Sequence, residues 1–172
     1  IKHTYKGWNA KDRKAFEDMV INIWYPVIKD WTPRYNGNWD AANGQTLMCI
    51  GIFLDRRDIF DTACKQLTDG NTNGAIKIYF YESGQCQESG RDQQHVQMGL
   101  AFLACAAEIA WNQDIDLYGA FDNRLYKGFE YTARYMSGEE VPHVQYITWF
   151  GKPVYGPEIS SKQREKICPA SV

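Results

Sequence analysis

No apolar run in this chain approaches the roughly 18 residues that cross a bilayer. The longest candidate, Gly99 to Ala110, is interrupted by Glu108. No pair of the five cysteines has C-x-x-C spacing, so a zinc ribbon or a thioredoxin-like motif has no support. There is no excess of positive charge either. Nineteen basic residues stand against 21 acidic ones, for a net charge of −2, which argues against non-specific nucleic-acid binding. No N-x-[ST] sequon is present, so N-glycosylation is not expected. The chain opens on Ile1, without Met and without a signal peptide, and reads as processed or excised.

What is present is a globular composition, 44% hydrophobic and 23% charged, over 172 residues, enough for one domain with a real core. Aromatic residues make up 15% of the chain. Most belong to a core, but a few suit a groove, because sugar rings stack on aromatic faces. Cys49, Cys64 and Cys105 fall in apolar helical patterns and read as buried thiols. Cys86 and Cys168 lie in loop-like segments, where they could pair with each other or elsewhere.

The pattern along the chain is helical. Residues 11–29 carry Phe16, Met19, Val20, Ile23, Trp24 and Val27 at helical spacing, with Pro26 predicting a kink or an early stop. Further helices are predicted over about 38–54, 56–68, 92–112 and 116–136, the third of these segments capped by Asp92. Residues 75–81 (AIKIYFY) alternate and read as a short strand or one hairpin arm. After Gly138 the chain is predicted to be irregular, with Pro142, Pro153, Pro157 and Pro169, so 143–172 is read as a tail on a single domain spanning 1–172. Helices of this length joined by short links form antiparallel pairs.

Three segments carry the chemistry. QESGRDQQHVQ at 87–97 gathers Glu88, Arg91, Asp92, Gln93, Gln94, His95 and Gln97 at a loop-to-helix junction, where free N–H groups favour anions. The bland reading is a capped, solvated helix start, yet an apolar run follows at once. In DNRLYKGFEYTARY at 122–135, Arg124 and Tyr131 are seven residues apart and share a helix face. Gly128 lies between them, leaving clearance for a ligand or for a neighbouring chain segment. The bland reading here is helix packing with an ion pair from Arg124 to Glu130 or Asp122. The third segment, Asn36 to Asp40, sets Asn38 beside Trp39 at a helix start. That arrangement suits sugar stacking, or simply a capped helix with an apolar staple.

Together, GNWDAANGQTLMCIGIFLDRRDIF at 37–60, GQCQESGRDQQHVQMGL at 84–100 and DLYGAFDNRLYKGFEYTARY at 116–135 resemble the alginate lyase superfamily of α/α-toroid polysaccharide lyases. The likeness is nearest to polysaccharide lyase family 38 and more distant to family 5, and it spans most of residues 7–142. It implies an all-α fold of antiparallel helical hairpins forming part of a toroid, an incomplete barrel, with room for a short β hairpin. It also implies that the chain corresponds to the C-terminal half, since the family's catalytic domains are about twice as long. A second chain or the missing N-terminal half would then complete the ring. The family's amide–His pair falls on Gln94 and His95, with Gln94 standing where family 5 has Asn. Its Arg and Tyr fall on Arg124 and Tyr131. Substrate contacts are expected at Glu88, Arg91, Gln97, Asn38, Trp39 and Asn123.

The activity so implied is β-elimination on a uronic-acid polymer, glucuronan or alginate, by a secreted or periplasmic protein without metal or cofactor. His3 and His143 have no ligand-spaced partners. The enzyme must neutralise the uronate carboxylate, remove the C5 proton and protonate the C4 oxygen. Gln94, His95 or Arg124 would do the first, Tyr131 or His95 the second, and Tyr131 the third. Two other readings are a glycoside hydrolase using two of Glu88, Asp92, Asp122 and Glu130, and a non-catalytic carbohydrate-binding protein. No nucleic-acid or membrane partner is expected.

Overall fold

Asn9 starts the first helix by accepting the Asp12 amide on its side chain at 2.9 Å. In the computed structural model, residues 2–30, 37–90 and 92–142 are described, together with the backbone of two strands at 146–149 and 152–155. Helix α1 (Ala10–Met19) runs into a π-helical turn, Val20–Trp24, and then into α2 (Tyr25–Ile28). Pro26 sits in the first turn of α2, where a missing N–H costs nothing. The kink expected from Pro26 is therefore taken up by the π turn before it.

Two helical hairpins follow. Helix α3 (Gly37–Leu54) packs along α4 (Arg57–Asp69), and α6 (Gln93–Trp111) packs against α7 (Ala120–Met136). Helices α3 and α6 lie side by side and run in the same direction. Tyr79 touches Gly37 at the start of α3 and Gly99 in the first half of α6. At the other end, Gly51 and Ile52 share a cleft of about 400 Å³ with Gln113, just past α6. Their sequences are apolar on nearly every side, whereas α4 buries one stripe, Ile59, Phe60, Ala63, Cys64 and Leu67, and α7 buries Leu125, Gly128 and Thr132. The architecture is thus mostly helical, with α3 and α6 as the central pair and α4 and α7 as amphipathic flanks.

Several expectations need correction. Residues 75–81 hold a single helical turn, α5 (Ile76–Tyr79), and Phe80 makes only an isolated bridge with Cys86. Burial overrides β propensity there, since Ala75, Ile76, Tyr79 and Phe80 are all buried. A hairpin does form, but at β1 (Tyr146–Trp149) and β2 (Lys152–Tyr155), with Tyr146 opposite Tyr155, inside the segment read as irregular. Strand β1 packs against the 3₁₀ turn Gln87–Gly90. Cys49 and Cys105 are exposed, not buried, because nothing among the described residues covers the faces of α3 and α6 that carry them. Cys64 is buried as expected. Cys86 is a buried free thiol, while its suggested partner Cys168 lies outside the described residues.

Candidate active site

The segment that carries most of the sequence signal folds as a 3₁₀ turn, Gln87–Gly90, leading into α6. Its first two side chains reach across to α3. Gln87 Oε1 accepts the Gly37 amide at 2.9 Å, and Glu88 Oε1 accepts the Asn38 amide at 3.3 Å. These are two of the orphan N–H groups that any helix start leaves open. Gln87 Nε2 also donates to Asn73 Oδ1 at 2.9 Å. Asp40, in the first turn of α3, accepts the Gly74 amide at 3.3 Å. Burial pushes the Asp40 carboxyl up to about 7, against the opposing effect of the Gly74 and Asn73 amides. The sequence gives no hint of this buried acid beyond its place beside Trp39.

At the start of α6, Asp92 does two things. Its Oδ1 accepts the His95 amide at 2.9 Å, the N-cap bond expected from sequence, and contacts His95 Nδ1 at 2.7 Å. Both side chains are partly exposed, 22% for His95 and 27% for Asp92. The imidazole is therefore fixed on its Nδ1 side. Sequence reasoning took Asp92 as a cap or as a hydrolase carboxylate, not as a partner of the imidazole. The D-x-x-H spacing at a helix start was the available signal, because residues three apart share a face. Gln94 and Gln97 are exposed on the same turns. Gln97 Nε2 reaches Met136 Sδ at 3.5 Å, so the start of α6 meets the end of α7.

That contact sets the level of the α7 residues. At about 1.5 Å per residue, Tyr131 lies roughly 8 Å along the helix from Met136, and Arg124 roughly 18 Å. In this antiparallel pair Tyr131 is thus level with the middle of α6, and Arg124 with its C-terminal end. Arg124 is also engaged. Its Nη1 donates to Lys77 O at 3.0 Å and to Phe80 O at 3.1 Å, carbonyls at the end of α5, and Nη2 lies 3.5 Å from Glu82. The predicted ion pair with Glu130 or Asp122 is not the one formed. Asp122 pairs instead with Lys127 at 2.6 Å.

The loop that Arg124 anchors passes directly under Tyr131. Gly84, with φ of +91°, packs so tightly that a Cβ there would lie 2.6 Å from Lys127 C and 3.0 Å from Tyr131 Cβ. Both the left-handed backbone and the close approach require glycine.

Of the expected substrate contacts, Trp39 is exposed at 59% on the first turn of α3. Asn38 and Glu88 are buried, at 1% and 4%, and hold each other. The bond runs from the Asn38 backbone amide to the Glu88 carboxylate, and Asn38 Oδ1 is buried without a hydrogen bond among the described residues. Asn123 is exposed in a left-handed run, φ 50° at Phe121, 57° at Asp122 and 56° at Asn123. The helix predicted from 116 is accordingly regular only from Arg124. Arg91 lies outside the described residues.

The start of α6, with an amide pair and a fixed imidazole, can be set beside known families. A family model for alginate lyase matches residues 1–142. The chain belongs to the alginate lyase family. No curated protein and no solved structure matches it. Membership sets the class of chemistry, polysaccharide lyase action at the family level on an acidic polysaccharide. Proteins of the alginate lyase family are typically extracellular, and among the described residues no helix is long and apolar enough to cross a membrane. The family match ends before the β1–β2 hairpin, although β1 lies against the turn that leads to His95.

Proposed function

We propose that this chain is a secreted polysaccharide lyase that cleaves a uronic-acid polymer, glucuronan or alginate, by β-elimination at the start of α6. The observation that carries the reading is the fixed His95 imidazole at a helix N-terminus, in a chain of the alginate lyase family. The uronate carboxylate would sit at this junction, where the Gln94 amide and the positive end of the helix favour an anion. That neutralisation lowers the barrier to an enolate-like intermediate at C5. His95 or Tyr131 takes the C5 proton, and Tyr131 protonates the departing C4 oxygen. Trp39, Gln97, Asn123 and Arg91 would contact flanking sugars. Arg124, at the far end of α7, would serve this site by anchoring the loop beneath Tyr131.

The hydrolase reading is less well supported. Glu88 caps α3, Asp92 holds His95, and Asp122 pairs with Lys127, so the facing carboxylates that a hydrolase needs are engaged elsewhere. A non-catalytic binding protein draws support from Arg124, whose guanidinium bonds backbone carbonyls. The parallel central pair suits part of an α/α toroid. The uncovered faces carrying Cys49 and Cys105 would then meet a second chain or an N-terminal half.

The test is the absorbance of the conjugated C4=C5 double bond after the protein is added to polyglucuronate or alginate. A rise that vanishes in Tyr131→Phe and His95→Ala supports the lyase. Absence of a rise from folded protein, with polymer still bound, favours the binding protein.

A further inference from the structure

The cleft of about 400 Å³ at the far ends of α3 and α6 has the size of a small-molecule site. Besides Ile52 and Gln113, it is lined by His3, Asp55 and Arg57, with the buried Phe60 beneath. Gly51 brings α3 against the start of α4 here, since a Cβ on it would lie 2.7 Å from Phe60 N. The rim is tied down from the N-terminal side. Lys2 Nζ donates to Phe53 O at 2.6 Å and to Asp55 at 3.0 Å, and pairs with Glu17 at 3.2 Å. A wall held in this way loses little freedom when a ligand arrives. The same lysine offsets the charge of Asp55, the carboxylate on the rim.

Three other groups keep hydrogen-bonding capacity. Arg57 gives its Nε to Asp61 at 2.7 Å and holds its guanidinium carbon 5.3 Å from the centre of the Phe60 ring. Among the described residues, no hydrogen bond takes its Nη1 or Nη2, an edge that a carboxylate meets with two parallel bonds. His3 Nε2 faces Ile52 O at 3.3 Å. A carbonyl only accepts, so Nε2 donates and, in the neutral ring, Nδ1 is left as an acceptor. Gln113 directs Nε2 to Asn112 O at 2.8 Å, which leaves Oε1 as a second acceptor. A fork for a carboxylate, two acceptors for hydroxyls and apolar surface from Ile52 together match an acidic sugar ring. A bare anion would leave the acceptors unused, and a neutral sugar would leave the fork unused.

We propose that this cleft is a second binding site for the acidic polysaccharide, taking one uronate unit with its carboxylate on Arg57 and its hydroxyls on His3 and Gln113. The proposal rests on the lyase reading for the polymer, but not for the cleft. Trp111, at the end of α6, is sixteen residues from His95, about 24 Å along the helix. A long polymer is therefore held at the cleft while another stretch of it reaches His95, and a short oligomer cannot touch both. Joining two contacts on one chain raises the effective concentration of substrate at the chemistry without touching the reacting atoms.

The amide signals of Gly51, Ile52 and Gln113 read the cleft directly when glucuronate, and then mannuronate, is added to the whole chain and ¹H–¹⁵N spectra are followed. At least one of the two is expected to shift them to saturation, at concentrations where glucose and inorganic phosphate leave them unmoved. Arg57→Gln is expected to weaken that binding at least about tenfold, the scale of a charge-assisted hydrogen bond. Arg57→Lys, which keeps the charge without the fork, should restore only part of it. In turnover, Arg57→Gln is expected to raise KM for long polyglucuronate or alginate several-fold, with kcat and the KM of short oligomers unchanged. Signals unmoved by either uronate, or shifts that persist in Arg57→Gln, would overturn the proposal even in a protein that cleaves polymer. Equal shifts with phosphate would make the cleft a plain anion site and overturn it too. Arg57-dependent shifts in a protein that produces no unsaturated sugar would keep the cleft and sink the lyase reading instead.

Discussion

A Cβ added to Gly128 would overlap the ring of Phe80, with Cδ1 only 2.8 Å away. The clearance on this face of α7 is therefore filled by a neighbouring side chain, and the choice between ligand and packing left open by spacing is settled in favour of packing. Phe80 is 1% exposed and stands edge-on to Tyr79, with ring centroids 4.9 Å apart, so it has no room to turn away. Gly128→Ala is expected to lower stability by up to about 2 kcal/mol. Overpacking costs about 1–3 kcal/mol, partly offset by a helix-propensity gain of about 1 kcal/mol. A urea midpoint at or above the wild-type value would show that the ring yields.

Arg124 makes a second test of α7. Arg124→Ala removes both hydrogen bonds to the end of α5 and is expected to cost about 1–3 kcal/mol. Arg124→Lys keeps the charge but not the fork, and should recover less than half of that loss. If lyase activity falls in step with the folded fraction in both variants, the residue acts through the loop. Loss of activity at full folding would place it among the groups touching substrate.

The cap on α3 is open to a similar test. Gln87→Ala strands the Gly37 amide and the Asn73 carbonyl oxygen of its side chain, both held at 2.9 Å in the native protein. The expected cost is about 1–3 kcal/mol, that of leaving buried polar groups without partners. Thermal unfolding measures it, and an unchanged Tm would mean that water replaces the glutamine.

Asp40 supplies a pH dependence. Its folded pKa of about 7 stands above the model-peptide value of 3.8, so the folded protein keeps a proton that the unfolded chain releases. The contribution to stability is complete below about pH 4 and is lost as pH rises through 7. Unfolding midpoints at pH 5 and pH 8 should differ in the direction of weaker folding at pH 8. Asp40→Asn should shrink that difference. An equal difference in the variant would assign the effect to another group.

Much of the helical frame was legible from periodicity and caps. Asp92 was read as the cap of a helix to about 112 and caps one ending at Trp111, and the 56–68 segment became Arg57–Asp69. Residues 75–81 were misread because β-branched and aromatic residues serve equally well in a buried single turn, and no local signal announces Arg124 arriving from 44 residues away to bond Phe80 O. The burial of Asn38 and Glu88 was hidden for the same reason. Only the fold shows that the turn 50 residues on covers the first turn of α3 and bonds its amides. The Asp92–His95 pairing was local, three residues apart, and could have been read from spacing.

Helix α3 begins on amides whose acceptors, Gln87 and Glu88, lie 50 residues further along the chain. Most helices carry their own first-turn acceptor and can nucleate locally, at a cost in ordering that a cap reduces. Two first-turn amides of this one are met by side chains that arrive when a long loop closes. The same bonds that meet the α3 amides seat the turn leading to His95, so a change that loosens one is expected to loosen the other.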